Sequence, residues 1–182
     1  SFSDSVFSGA TLEATIGKGY TGGKNLDVSG LETGDDFGRS VSLQGLQLAG
    51  GAGHDDGFGN TTSDSGAVHL FTFSDLVFNG AVLEGTIGKG YTGGKNFDVS
   101  GLEANDAFGY RSVSVDGTRL AVGAQDNDGF ANTTANSGAV YLFSFTDTAF
   151  NAPNLEGIIG KGYTGGGKDF NVSSQLEVND NF

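Results

Sequence analysis

Two acidic loops hold the side chains best suited to chemistry in this chain, His54-Asp55-Asp56-Gly57 and Asp126-Asn127-Asp128-Gly129. Asp56 and Asp128 fall at matching points. Neighbouring carboxylates, backed by Asn side chains and backbone carbonyls, form the hard oxygen set that holds Ca2+. The same residue types also build turns, because Asp, Asn and Gly cap their own backbone. Turn formation is therefore the first reading of Asp55, Asp56, Asp126 and Asp128, and weak calcium binding the second. Each loop runs on into a glycan acceptor triplet, Asn60-Thr61-Thr62 and Asn132-Thr133-Thr134, and a third such triplet stands at Asn171-Val172-Ser173.

Other chemistries fail on spacing or composition. Residues 17–24 read Gly-Lys-Gly-Tyr-Thr-Gly-Gly-Lys, which invites a phosphate-loop reading. Lys18 stands where the first glycine of that loop belongs, however, and Asn25 replaces the Ser or Thr that would meet magnesium. The segment recurs three times and is read as a structural turn, with Tyr20 packing its ring and exposing its hydroxyl. The chain has no Cys and only two His, and His54 and His69 fall where the second copy carries Asp126 and Tyr141. Nothing marks a Ser-His-Asp or paired-carboxylate catalytic site.

Composition bounds what these loops can serve. Nine Lys and Arg against 22 Asp and Glu give a formal charge of −13, which repels polyanions and argues against nucleic-acid binding. No apolar run approaches the roughly 18 residues of a membrane span, so no membrane insertion is expected. Fifteen Phe within 182 residues suffice for a core, and 33 Gly with a single Pro suit short strands joined by many turns.

Internal repetition is what positions the loops. Thr15-Ile16-Gly17-Lys18-Gly19-Tyr20 returns at Thr86 and, altered, at Ile158; Phe2-Ser3-Asp4 returns as Phe73-Ser74-Asp75 and Phe145-Thr146-Asp147. Each unit reads as four strands of alternating residues. In the second copy these are Ser112 to Val115, Arg119 to Val122, Ala139 to Phe145, and Asn154 to Ile159, with Asp116-Gly117 as a two-residue hairpin turn. In the first copy they are Val41 to Leu43, Leu46 to Ala49, Ala67 to Phe73 and Thr11 to Ile16. The third strand is apolar on both faces, which predicts that it lies sandwiched between neighbouring units.

Phe108-Gly109, Val122-Gly123-Ala124 and the closing run from Gly138 to Phe143 resemble the FG-GAP repeat, the unit of integrin α-like β-propellers and of large bacterial surface proteins. The resemblance implies an all-β fold of four-stranded antiparallel propeller blades with a repeat of about 72 residues. It divides the chain into a partial repeat over residues 1–36, a full repeat over 37–107, and a second full repeat over 108–182. The calcium loop that the family places between its first two strands is missing here, since Gln44-Gly45 and Asp116-Gly117 are too short to wrap an ion. Closed propellers use about four to eight blades, so this incomplete ring is expected to be completed by further repeats or by other copies of itself.

The implied role is non-enzymatic. The chain is expected to be a structural or adhesive segment on a bacterial surface or in secretion, presenting acidic loops to a glycan or matrix partner. The alternatives are a self-assembling fibre or shell built by strand donation and, third, an accessory propeller of a secreted enzyme. With turn formation as the first role of the acidic loops, a chelator is expected to leave the melting temperature unchanged; a lowered midpoint would assign calcium to them.

Overall fold

The computed structural model describes residues 8–182, which form almost nothing but β-structure, with one 3-10 turn at Phe130–Asn132. The Phe2-Ser3-Asp4 copy lies outside the described residues. A short parallel pair, β1 (Ile16–Gly17) and β2 (Leu26–Asp27), precedes two five-stranded blades. The first blade contains β3 (Val41–Gln44), β4 (Gln47–Ala52), β5 (Ala67–Thr72), β6 (Val82–Gly88) and β7 (Phe97–Asp98). The second contains β8 (Phe108–Asp116), β9 (Arg119–Ala124), β10 (Ala139–Ser144), β11 (Asn154–Gly160) and β12 (Phe170–Asn171). Both sheets run in chain order, with four antiparallel strands and a fifth that returns parallel to the fourth. Among the described residues the blades do not close a ring.

Three details differ from the expectation. The turns of the first hairpins centre on Gly45-Leu46 and Gly117-Thr118, one residue later than read from sequence. The closing pairs are Gln44 with Gln47 and Asp116 with Arg119, and Gly45 and Gly117 take the positive φ. The segment expected as a strand over Thr11 to Ile16 is strand only at β1, because β2 is its one strand partner among the described residues. The short return strands β2, β7 and β12 went unread, since two residues carry no periodicity. Tyr110-Arg111, an insertion relative to the first copy, is absorbed as a bulge in β8 between the pairs Phe108–Ala124 and Val113–Val122.

The core lies between units. Val68, Leu70, Ile87, Val99 and Leu102 of the first unit merge with Phe108, Val115, Val122, Tyr141, Phe143 and Phe150 of the second into one buried cluster. Edge-on rings bind it together, Phe97 on Phe143 at 5.7 Å and Phe108 on Tyr141 at 5.4 Å. Val28 and Leu31 likewise pack against Ala52 and Phe71, one unit earlier. Each buried Val, Leu or Phe contributes about 1.5–3 kcal/mol, whereas exposed ion pairs such as Arg119–Asp116 are screened by water and add little. Apolar burial therefore holds the joints.

The sandwiched third strand is observed directly. Val68 and Leu70 on β5 are fully buried under the second blade, while the matching Val140 and Leu142 on β10 are half-buried. On the opposite side, Leu43 is 53% exposed where the matching Val115 is 6% exposed against the first blade, and Val41 is exposed where the matching Val113 is half-buried.

Polar contacts fix the register of that joint. Ser40 Oγ donates to the Gly109 carbonyl (2.5 Å), Val115 N donates to Ser42 Oγ (2.9 Å), and Gln47 Nε2 donates to the Gly117 carbonyl (2.9 Å). The chain also crosses over on backbone bonds: Asn105 N to Ser63 O, Ala107 N to Asp64 O and Phe108 N to Ser65 O, at 2.9–3.1 Å. The same three bonds recur from Asn179, Asn181 and Phe182 to Ala135, Asn136 and Ser137. Phe182 thus sits on the second blade as Phe108 sits on the first. The bulged Tyr110 stacks on His54 (4.7 Å between centroids) and lies under the Arg39 guanidinium (4.2 Å), a contact found only at this joint because the first copy lacks the insertion.

A Cβ on Gly51 would lie 1.9 Å from the Gly109 carbonyl oxygen, and one on Gly66, at φ +82°, would lie 2.2 Å from that of Phe108. Gly30 meets nothing within 4 Å and has no positive φ. Gly51→Ala and Gly66→Ala are each expected to cost about 3 kcal/mol or more in urea unfolding, and Gly30→Ala less than about 1. Equal costs at all three would refute the backbone-contact account.

Candidate functional site

The acidic loops occupy residues 53–66 and 125–138, each leading from the second strand of a blade to its third. Asp55 turns inward. It is 4% exposed, and its carboxylate accepts the Tyr91 hydroxyl (2.9 and 3.0 Å) and the Gly57 amide (2.8 Å). The second copy places Asn127 there, with Oδ1 accepting from Tyr163 Oη (3.0 Å) and Gly129 N (3.0 Å). Asp56 and Asp128 cap the loop instead. Their Oδ1 atoms accept the amides of Asp64 and Asn136, each at 2.8 Å, and their carbonyls accept Thr62 N and Thr134 N. Asp126 accepts only from its neighbour Gln125 (2.9 Å) and matches His54. Among the described residues no group of three or more His, Asp or Glu is gathered to hold a metal ion.

The Gly-Lys-Gly-Tyr segment is structural, as expected, but its tyrosines are used otherwise. Tyr91 and Tyr163 direct their hydroxyls inward onto Asp55 and Asn127, and only Tyr20, at 49% exposure, keeps an open ring. The lysines serve as pins. Lys18 donates to the Ser29 carbonyl (2.9 Å), Lys89 to that of Ser100, and Lys161 to that of Leu176 (2.5 Å). Lys24 and Lys95 each bind a glutamate of their own unit, Glu13 and Glu84, and reach 2.7 Å to a carbonyl of the next unit, Val77 O or Ala149 O. Lys168 binds Glu156 (2.5 Å).

The acceptor asparagines are also built in. Asn60 Nδ2 donates to Glu32 (2.7 Å) and Asn132 Nδ2 to Glu103 (2.6 Å), so the atom that would carry a glycan already binds a carboxylate. Asn171 Oδ1 accepts the amides of Gly162 (2.8 Å) and Ser173 (2.9 Å), as a turn cap. Sequence reasoning missed Glu32, Asp35, Glu103 and Asp106. Their signal was the matched Glu-x-x-Asp spacing before each Phe, where the aspartate caps the glutamate amide (2.6 and 2.9 Å).

Glu32, Asp35, Asp55, Asp56, Phe58, Asn60 and Tyr91 line a concavity of about 350 Å3 at the first joint. Burial pushes Asp55 up to about 6, against the pull of the Tyr91 and Gly57 hydrogen bonds and helped by the charges of Asp35 and Asp56. Burial likewise pushes Asp106 up to about 6, although Glu103 N and Asn127 Nδ2 (3.1 Å) donate to it. Each therefore contributes stability that is complete below about 3.8 and is lost as pH rises through about 6. His69 runs the other way: burial holds it near 4 instead of 6.5, so its contribution is present above 6.5 and lost as pH falls through about 4. Its Nδ1 meets Thr86 Oγ1 (3.0 Å), and Nε2 is the one buried side-chain polar atom without a hydrogen-bond partner among the described residues.

Asp55→Asn copies Asn127 and removes the buried charge. It is expected to stabilise the chain by about 1–2 kcal/mol at pH 7.5, with the gain shrinking as pH falls through about 6 and gone below about 3.8, where the carboxyl is protonated in both folded and unfolded states. Melting curves across that range check it; a gain independent of pH would show that Asp55 is not the titrating group.

A family model described as the FG-GAP repeat matches residues 26–71 and 100–143. No curated protein and no solved structure matches the chain. The repeats of this family are typically extracellular and generally non-catalytic, and no helix among the described residues is long and apolar enough to cross a membrane. Paired glycines at the joints, a Phe-Gly opening each blade and a four-stranded antiparallel core in each unit agree with that match, and the chain carries two FG-GAP repeats.

Proposed function

We propose that this chain is a non-enzymatic, extracellular structural and adhesive segment that carries its acidic loops on a rigid stack of blades. The observation behind this reading is the repetition of the joint. The same backbone bonds, lysine pins and edge-on ring pairs, Phe37 on His69 and Phe108 on Tyr141, recur at matched positions, so the two loops are held in a fixed relation. Every acidic side chain in those loops already supports the backbone or a neighbouring residue, which suits a presenting surface better than a reaction centre.

A second reading is favoured by the end faces. Val140 and Leu142 on one side are only half-buried where the matching Val68 and Leu70 are fully buried, and Leu43 on the other side is exposed where the matching Val115 is buried. Another blade, from further repeats or from another copy, would cover them, and contacts of this head-to-tail kind close into rings or extend as filaments.

The chain fused to a fluorescent reporter is expected to be retained on polysaccharide-coated or matrix-coated surfaces well above the reporter alone. Retention on none of them would overturn the adhesive role. Regular polymers in negative-stain images would establish the assembly reading, and a monomer at all concentrations would remove it.

A further inference from the structure

The exposed apolar side chains do not share one cause. Val41 and Leu43 are open at an uncovered end face. Phe58 and Phe130 are not of that kind. Phe58 lies beside the joint with the preceding segment, yet it is 64% exposed, and Phe130, at the matching place in the second unit, is 53% exposed. A large ring left in water twice at one repeat position is a property of the fold, and its natural use is to meet a partner.

Their surroundings are alike and held in place. Phe58 stands edge-on to Tyr91 (5.8 Å) and Phe130 to Tyr163 (5.9 Å). Those tyrosines are fixed by Asp55 and Asn127, so each exposed ring rests on an anchored neighbour. Beside each ring lies an amide–carboxylate pair, Asn60–Glu32 or Asn132–Glu103, formed across the joint at 2.7 and 2.6 Å. At the first joint these groups line the 350 Å3 concavity, at the small end of the range of about 300–1,000 Å3 for ligand sites and of a size for one or two sugar rings.

The geometry points to a pair of saccharide subsites for a neutral sugar, one at Phe58 and one at Phe130. A pyranose presents an apolar face of C–H groups, which an exposed phenyl ring covers, and a rim of hydroxyls that need oriented acceptors and donors. Glu32 or Glu103 supplies acceptor oxygens, and Asn60 or Asn132 supplies an amide with both roles. The groups are already immobilised by each other, so little ordering is needed on binding. The charge selects within the class. Four carboxylates and no Lys or Arg line the first concavity, so sulfated and uronic sugars are repelled. Two subsites on one rigid stack would bind a polysaccharide with an avidity neither has alone.

This deepens the adhesive reading and rests on it. The test uses the whole chain against a panel of immobilised neutral oligosaccharides (gluco-, manno-, galacto- and chito-series), with their sulfated or uronic counterparts alongside. At least one neutral series is expected to bind. Phe58→Ala and Phe130→Ala should each weaken binding about tenfold or more and together abolish it. Melting temperatures should stay near that of the parent chain, because the rings are exposed. Glu32→Gln, which keeps the shape but alters the hydroxyl acceptor, should weaken binding further than it lowers stability. Unchanged binding in the double Phe variant, binding confined to the anionic sugars, or no binding to any member overturns the inference. Reporter retention that survives the double Phe variant overturns these subsites and leaves the adhesive role standing, whereas a parent chain retained nowhere removes the role itself.

Discussion

Adjacent units touch backbone to backbone, and the rest of the molecule follows from that closeness. Where Gly51 and Gly66 face Gly109 and Phe108 there is no room for a single methyl group. Two sheets brought that near can share one set of buried side chains, so Val68 and Leu70 are covered by the next unit and not by their own. The hydrophobic effect supplies the energy, but the glycines decide where it can be collected. Polar contacts such as Ser40 Oγ to Gly109 O then set the register, at a modest net gain each of about 1 kcal/mol.

A unit of this design cannot stand by itself. Its third strand is apolar on both faces, and one blade offers no layer to cover either of them. The loops inherit their order from the same source. Asn60 and Asn132 are steadied by Glu32 and Glu103, which come from the connection that precedes each blade. The rim is therefore a product of the joints, and a side chain there is oriented by two units at once.

The repeat, the blade and the sandwiched third strand were legible because each is written in periodic residues. Ala139 to Phe145 alternates along a strand, the Phe-Gly and Gly-Ala-Val pairs recur, and Gly117 marks a hairpin to within one residue. The return strands were not legible, since a two-residue parallel pair such as Phe97-Asp98 is defined by where the chain arrives and not by its own pattern. The inward role of Tyr91 and Tyr163 was hidden for a related reason. Their partners Asp55 and Asn127 lie 36 residues away, and only folding brings them together. Likewise, which amides Asp56 and Asp128 cap, those of Asp64 and Asn136, is not displayed by sequence spacing.

Near-identical units in one chain carry a hazard: any first strand fits any neighbouring blade almost equally well, and a growing or refolding array can pair the wrong copies. The stack of His54, Tyr110 and Arg39 is confined to one joint, because only the second unit carries the bulged Tyr110-Arg111 and only the first has His54 to receive it. The insertion thus acts as an address. It lets the chain distinguish its correct neighbour from a lookalike with the same core, and so gives a repetitive sequence a unique order of assembly.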